Sequence, residues 1–201
     1  MNDDELWARI RRIYAAVDAT VETEFSRLKP KVIGTKKTIG FMQDFRGGLD
    51  DDQLTNLAMS AIYNVAHLRD HLKRWGKKHQ KTVAEVDDTV RASQSLSLIV
   101  DLSNADKHPP ERRRDFSGLG PRLANINRVL RMTVAGNSGM ALTLNQDGTP
   151  RVIGQGSSGA VIVADVLTSD GTKIAELDEI IRQAVEDWEK LLTAWGANAQ
   201  S

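Results

Sequence analysis

Two short stretches carry most of the side chains able to do acid–base or phosphate chemistry: AIYNVAHLRDHLKRW at 61–75 and DLSNADKHPPERRRDF at 101–116. A histidine that titrates near neutrality can take or deliver a proton, and a neighbouring Arg or Lys can hold a phosphate and its developing charge. These roles fall on His108 as acid/base, Asn104 to orient its ring, and Arg69 and Lys107 to bind phosphate. Arg112 and Arg113 (with Arg114) add positive charge just beyond, and Asp101 and His71 complete the set. The chemistry would be metal-free phosphodiester cleavage. On a helix of ~3.6 residues per turn, Asp101, Asn104 and His108 share one flank. His71 and Asn64 share an edge of the other segment, with His67 slightly further out and Arg69 on the opposite edge. If the two segments are adjacent helices, the flanks meet in a polar groove facing His71.

Plainer readings exist for each group. Lys107 and His108 stand where cations suit the unpaired carbonyls of a helix C-terminus, and Glu111 and Asp115 partly neutralise the arginine run as in a solvated loop. His67 and His71 form an HxxxH pair that Asp101 and His108 could complete to four metal ligands. The pair lacks the Glu of the HExxH metalloprotease helix. The expectation is therefore no stable zinc site and no cofactor, with a metal-dependent hydrolase as a third-ranked alternative. GQGSSG at 154–159 has no following GK[ST] and reads as a turn between strands rather than a phosphate loop.

The whole chain sets the frame. Its 201 residues suit a single domain, 40% of them hydrophobic, and 27 basic side chains balance 27 acidic ones. Balanced charge argues against a general nucleic-acid coat while allowing a local basic patch. There is no Cys, which removes disulfides, thiolate chemistry and Cys-ligated zinc. The opening MNDDELWARIRR lacks the apolar block of a secretory signal, and runs such as AVIVADVL are too short to span a bilayer as a helix. A cytoplasmic location without membrane attachment is the default expectation.

The elements that must position these groups follow from apolar spacing. Trp7, Ile10, Ile13, Val17, Val21, Phe25 and Leu28 predict a helix over 4–28, stopped by Pro30. Residues 29–48 read as a connection. Leu54, Ala58, Ala61, Val65, Leu68 and Leu72, edged by Leu57 and Trp75, predict a second helix over 51–77, and a third runs over 83–108 to the Pro109-Pro110 stop. RVLRMTV, MALTLN, PRVIG and AVIVADVL predict three or four short antiparallel strands. A last helix spans 174–195, with Gly196 in a C-cap position. The predicted class is α+β in one domain over 1–201. A helical part at 1–128 is followed by a small antiparallel sheet inserted at 129–173, and the helix within 174–201 returns to the bundle.

SNADKH at 103–108 resembles the end of the motif of HEPN-type helical domains, an Arg followed after four to six residues by His, often with Asn directly after the Arg. Many members of that superfamily are metal-independent ribonucleases of toxin–antitoxin, CRISPR and phage-defence systems, whose Arg and His from two subunits meet at a dimer cleft. The match puts the polar residue on Asn104 and the His on His108, while the Arg position holds Ser103. Phosphate binding would then fall to Arg69 or to Arg112–Arg114. HLRDH and DLSNADKH also resemble segments of small bacterial helical proteins with HLRDW-like and DLAN..KH-like stretches, covering 62–108. The resemblance implies attack of a ribose 2′-hydroxyl on the adjacent phosphate to leave a cyclic phosphate end. RNA, a cognate antitoxin or other protein, and a second copy of the chain are the implied partners. The alternative is a non-catalytic interaction module whose polar clusters fix helix packing.

Overall fold

The computed structural model describes residues 3–17, 31–35, 38–42, 46–108, 115–134, 139–146 and 150–197. Among them the order is α1 (Asp3–Val17), β1 (Lys31–Thr35), β2 (Thr38–Met42), α2 (Asp51–Lys78), α3 (Ala84–Ala92), α4 (Gln94–Lys107), β3 (Arg122–Val134), β4 (Met140–Leu144), β5 (Pro150–Gly154), β6 (Gly156–Leu167), β7 (Lys173–Glu176) and α5 (Leu177–Ala194). The fold is a mainly helical α+β arrangement, with a small antiparallel sheet placed before the last helix.

The long α2 is the axis of the molecule. Asp50 caps it: its carboxylate accepts from the Gln53 amide at 2.7 Å, while the Gln53 side chain accepts from the Asp50 amide at 3.0 Å. Asp51 and Asp52 favour its positive end, and Lys77 and Lys78 its negative end. Its buried stripe is Leu54, Ala58, Ile62, Val65, Leu68, Leu72 and Trp75. Ile62 is fully buried, Ala61 packs against the core half-buried, and Leu57 stays 48% exposed. Around this stripe pack Leu6, Ile10 and Ile13 of α1, Val86 and Val90 of α3, Leu96 and Ile99 of α4, and the fully buried Trp188 of α5. The sheet β3-β6-β7 lies against α2 and α5. No described helix is long and apolar enough to cross a membrane.

Several boundaries differ from the sequence expectation. The predicted helix over 83–108 is two helices, broken at Ser93, whose backbone is extended (φ −102°, ψ 119°). Ser93 caps α4 by accepting from the Leu96 amide at 3.1 Å and donates its hydroxyl to Asp187 of α5 at 2.6 Å. The Ser97 hydroxyl donates to the Val90 carbonyl at 2.6 Å, supplying a partner where the helical ladder stops. Within the expected connection at 29–48, β1 and β2 form an antiparallel hairpin in which Gly34 faces Ile39 and Ile33 faces Gly40. The main sheet begins at Arg122 rather than 129, and the β3/β6 register shifts between Ala124 and Asn127, where Asn125 takes a positive φ of 52°. Ile174, expected in the last helix, lies in β7. Among the described residues β4 and β5 pair only with each other. The last 11 residues of the predicted first helix, 18–28, lie outside the described residues. At the far end, Gly196 (φ 74°) donates to the Thr193 carbonyl and Ala197 to that of Leu192, both at 3.0 Å, closing α5 with the paired bonds of a Schellman cap.

Candidate functional site: a basic groove along α2

Because α2 buries one stripe and is flanked on both sides, its two polar edges look in different directions. On the α1 side runs a groove of about 330 Å³ lined by Arg9, Arg12 and Ile13 of α1 and by Asn64, His67, Leu68 and His71 of α2. It continues into an opening of about 530 Å³ that shares Arg9, Arg12 and His71 and adds Glu5, Ala8 and Arg74 to the lining. Arg9 and Arg12 are exposed on one face of α1, one turn apart, while Ile10 and Ile13 anchor that helix in the core.

His71 registers this crowding. Burial is the main reason its imidazole titrates below the ordinary histidine value, and the charges of Arg9 and Arg74 push the same way. Asp70 opposes them, and His67 adds slightly to the lowering. The neutral ring is therefore the favoured form at pH 7, with both nitrogens able to take part in hydrogen bonds as donor or acceptor.

His67 marks where the end of α4 reaches the groove. Lys107 Nζ lies 2.8 Å from His67 Nε2, with the ammonium as donor, and 4.5 Å from the centroid of the Tyr63 ring. The Tyr63 and His67 rings lie nearly parallel with centroids 6.0 Å apart. The Tyr63 hydroxyl donates to Asp106, and its pKa is pushed up to about 12, first by desolvation and then by that carboxylate. Lys107 is thus brought up to the groove residue His67.

The other edge of α2 is built for packing. Arg69 Nε and Nη2 reach Asp87 Oδ1 of α3 at 2.8 and 2.6 Å, and Lys73 Nζ reaches Asp87 Oδ2 at 2.7 Å. Burial pushes the Asp87 carboxyl up, but the bonds and charges of Lys73 and Arg69 outweigh it and hold the group below the usual carboxylate value. The Arg69 guanidinium also lies 5.2 Å from the Phe116 ring centroid. Asp101, only 5% exposed, accepts from the Phe116 amide at 2.8 Å, the Ser117 amide at 2.8 Å and the Ser117 hydroxyl at 2.7 Å. Burial pushes its carboxyl up against the pull of those donors. Arg69 and Asp101 therefore converge on Phe116, away from the α1 face.

The sequence-derived site residues are thus divided. His71 lines the groove with His67 and Asn64, and Lys107 touches its edge, whereas Arg69 and Asp101 hold the 116–117 segment. Asn104 is half-buried one turn from the end of α4, and its carbonyl accepts from the amide of exposed His108, the C-cap, at 3.0 Å. None of Arg69, Asp101, Asn104 and His108 is among the residues lining the groove. Arg112, Arg113 and Arg114 lie outside the described residues. His79 is a helix-end group, stacked on Trp75 at 4.1 Å with Nδ1 2.9 Å from the Trp75 carbonyl. Among the described residues no three His, Asp or Glu side chains gather as a metal-ligand set, and Asp101 spends its carboxylate on Phe116 and Ser117 instead of meeting His67 and His71.

Sequence reasoning overlooked Arg9, Arg12 and Arg74, the groove's strongest charges. The first two were legible as a pair of cations one turn apart in LWARIRRI. That α1 lies along the His71 edge of α2 is a tertiary fact that the local pattern does not contain. No family model, curated protein or solved structure matches this chain.

Proposed function

We propose that this protein binds RNA, the groove between α1 and α2 taking the phosphate backbone. The observation that carries the reading is the meeting of Arg9, Arg12, His67 and His71 around one opening, whose continuation adds the cation of Arg74 and the carboxylate of Glu5. In a chain whose total charge is balanced, such a local concentration of cationic and histidine side chains is a discrete anion site rather than a general coat. From Asn64 to Arg74 the groove follows α2 for ~15 Å at ~1.5 Å per residue, which suits a run of phosphates better than a single isolated anion.

Fluorescence anisotropy with labelled single-stranded RNA in EDTA, repeated over a range of salt, tests this. Two phosphate contacts contribute roughly 1.4 to the slope of log affinity against log salt for a single strand. Arg9→Ala with Arg12→Ala should weaken binding and reduce the slope by about that amount. Unchanged affinity and slope in a folded double variant would refute the reading.

The neutral His71 favours a second reading, metal-free cleavage. An imidazole held neutral at pH 7 can accept the proton of a ribose 2′-hydroxyl as the 2′-oxygen bonds to phosphorus and the bond to the 5′-oxygen breaks. The departing oxygen would take its proton from water. Cyclic-phosphate ends formed in EDTA and lost in His71→Ala would support it, whereas RNA that stays bound and intact leaves binding as the function.

A further inference from the structure

Beyond the groove, α2 ends in KRWGKKHQK at 73–81, a run of Lys, Arg and His with no acid in it. Asn64, His67, His71, Arg74 and Lys78 follow one another by alternating steps of three and four residues, which puts them on one stripe of α2. Arg74 lines the wide end of the groove, and Lys78 is exposed in the last turn. The cationic stripe therefore leaves the groove and reaches the helix end beside His79, the C-cap. Of the neighbouring carboxylates, Asp70 lies one turn before Arg74 and Glu5 shares its opening, while Asp87 holds Lys73 and Glu85 accepts from Trp195 Nε1 at 2.7 Å.

At that end three rings pack in parallel. The His79 ring lies on Trp75 with centroids 4.1 Å apart and planes 20° apart, and its Nδ1 donates to the Trp75 carbonyl at 2.9 Å. Trp75 in turn lies 5.8 Å from Trp195 at 9°. Gly76 permits this approach, because a Cβ there would stand 3.0 Å from the Trp195 ring. Both tryptophans are buried, whereas His79 is exposed. With one side on a buried indole and Nδ1 on a carbonyl, the imidazole has its exposure on the other side.

We propose that His79 is a stacking platform for one unpaired nucleobase of a single-stranded RNA, whose phosphates run past Lys78 and Arg74 into the groove. Every nucleobase presents a π-face, and aromatic side chains, histidine included, hold unpaired bases beside cations that track the backbone. A ring already fixed on Trp75 loses little freedom when a base settles on it. The path of the phosphates rests on the RNA-binding reading of the groove; the stack of His79, Trp75 and Trp195 does not.

The test compares the affinity of the full chain for an unstructured single-stranded RNA and for an abasic ribose–phosphate strand of the same length. The base-bearing strand should bind about tenfold tighter, the scale of one base on one aromatic side chain. His79→Ala should remove that preference while leaving abasic binding and its salt dependence unchanged, and His79→Phe, which keeps an aromatic face, should retain it. In the wild-type chain, independently of any variant, the His79 ring protons should shift upfield with the base-bearing strand and not with the abasic one. Equal affinity for the two strands, a preference that survives in folded His79→Ala or is lost in folded His79→Phe, or His79 protons that do not respond to bases overturns the proposal. Arg9→Ala with Arg12→Ala separates the two readings. If that double variant weakens both strands while His79→Ala changes nothing, the groove stands and the platform falls. If the base preference depends on His79 but neither strand responds to the arginines, the platform stands and the groove falls.

Discussion

Arg9 of α1 and His71 of α2 line one groove, and the guanidinium adds to burial in keeping the imidazole uncharged. Folding stability should therefore depend on pH in a definite direction. Above 6.5, the ordinary histidine value, both folded and unfolded states are neutral and the contribution is fully present. As pH falls through 6.5 the unfolded chain takes up the proton first, so stability declines and levels off only below the folded value. Urea unfolding of wild type and His71→Gln between pH 5 and 8 checks this. The variant should lose less stability on acidification.

Arg69 and Asp101 are expected to matter for stability and not for RNA binding. Asp101→Ala leaves the half-buried amides of Phe116 and Ser117 without their acceptor and should cost about 1–3 kcal/mol. Arg69→Met should also lower the melting temperature, by leaving Asp87 with Lys73 alone and removing the cation over Phe116. Both should bind RNA as wild type does at a temperature where they remain folded. Weaker binding by folded Arg69→Met would return Arg69 to the phosphate-binding role that its sequence context suggests.

Ser93 joins α4 and α5 through one hydroxyl. Ser93→Ala removes the cap of α4 and the bond to Asp187, and should destabilise by about 1–2 kcal/mol. A melting temperature equal to wild type would show that the break between α3 and α4 does not depend on this residue.

The break at Ser93 also shows where the sequence stops being legible. Val86, Val90, Leu96 and Ile99 keep an apolar rhythm across it, so the spacing reads as one helix, and the partner that stabilises the break, Asp187, is distant in sequence. The stripe of α2 and the Gly196 cap were legible because each is decided within a few residues. The β1/β2 hairpin was missed because Gly34 and Gly40 signal a loop locally, although across the ladder each faces an isoleucine. The site follows the same division. His67, His71 and Lys107 were picked out by type and spacing, but which cations would surround them depended on α1 lying along one edge of α2 and Asp87 claiming Arg69 on the other.

The most direct test of the central claim is a proton NMR titration of the His71 ring, in free protein and with saturating single-stranded RNA in EDTA. The account predicts a free midpoint below 6.5, because burial and the Arg9 and Arg74 charges disfavour the imidazolium. It further predicts a higher midpoint with RNA bound, because a phosphate in the groove offsets those charges. RNA that binds while leaving the His71 midpoint unmoved would place the phosphate elsewhere and contradict the account.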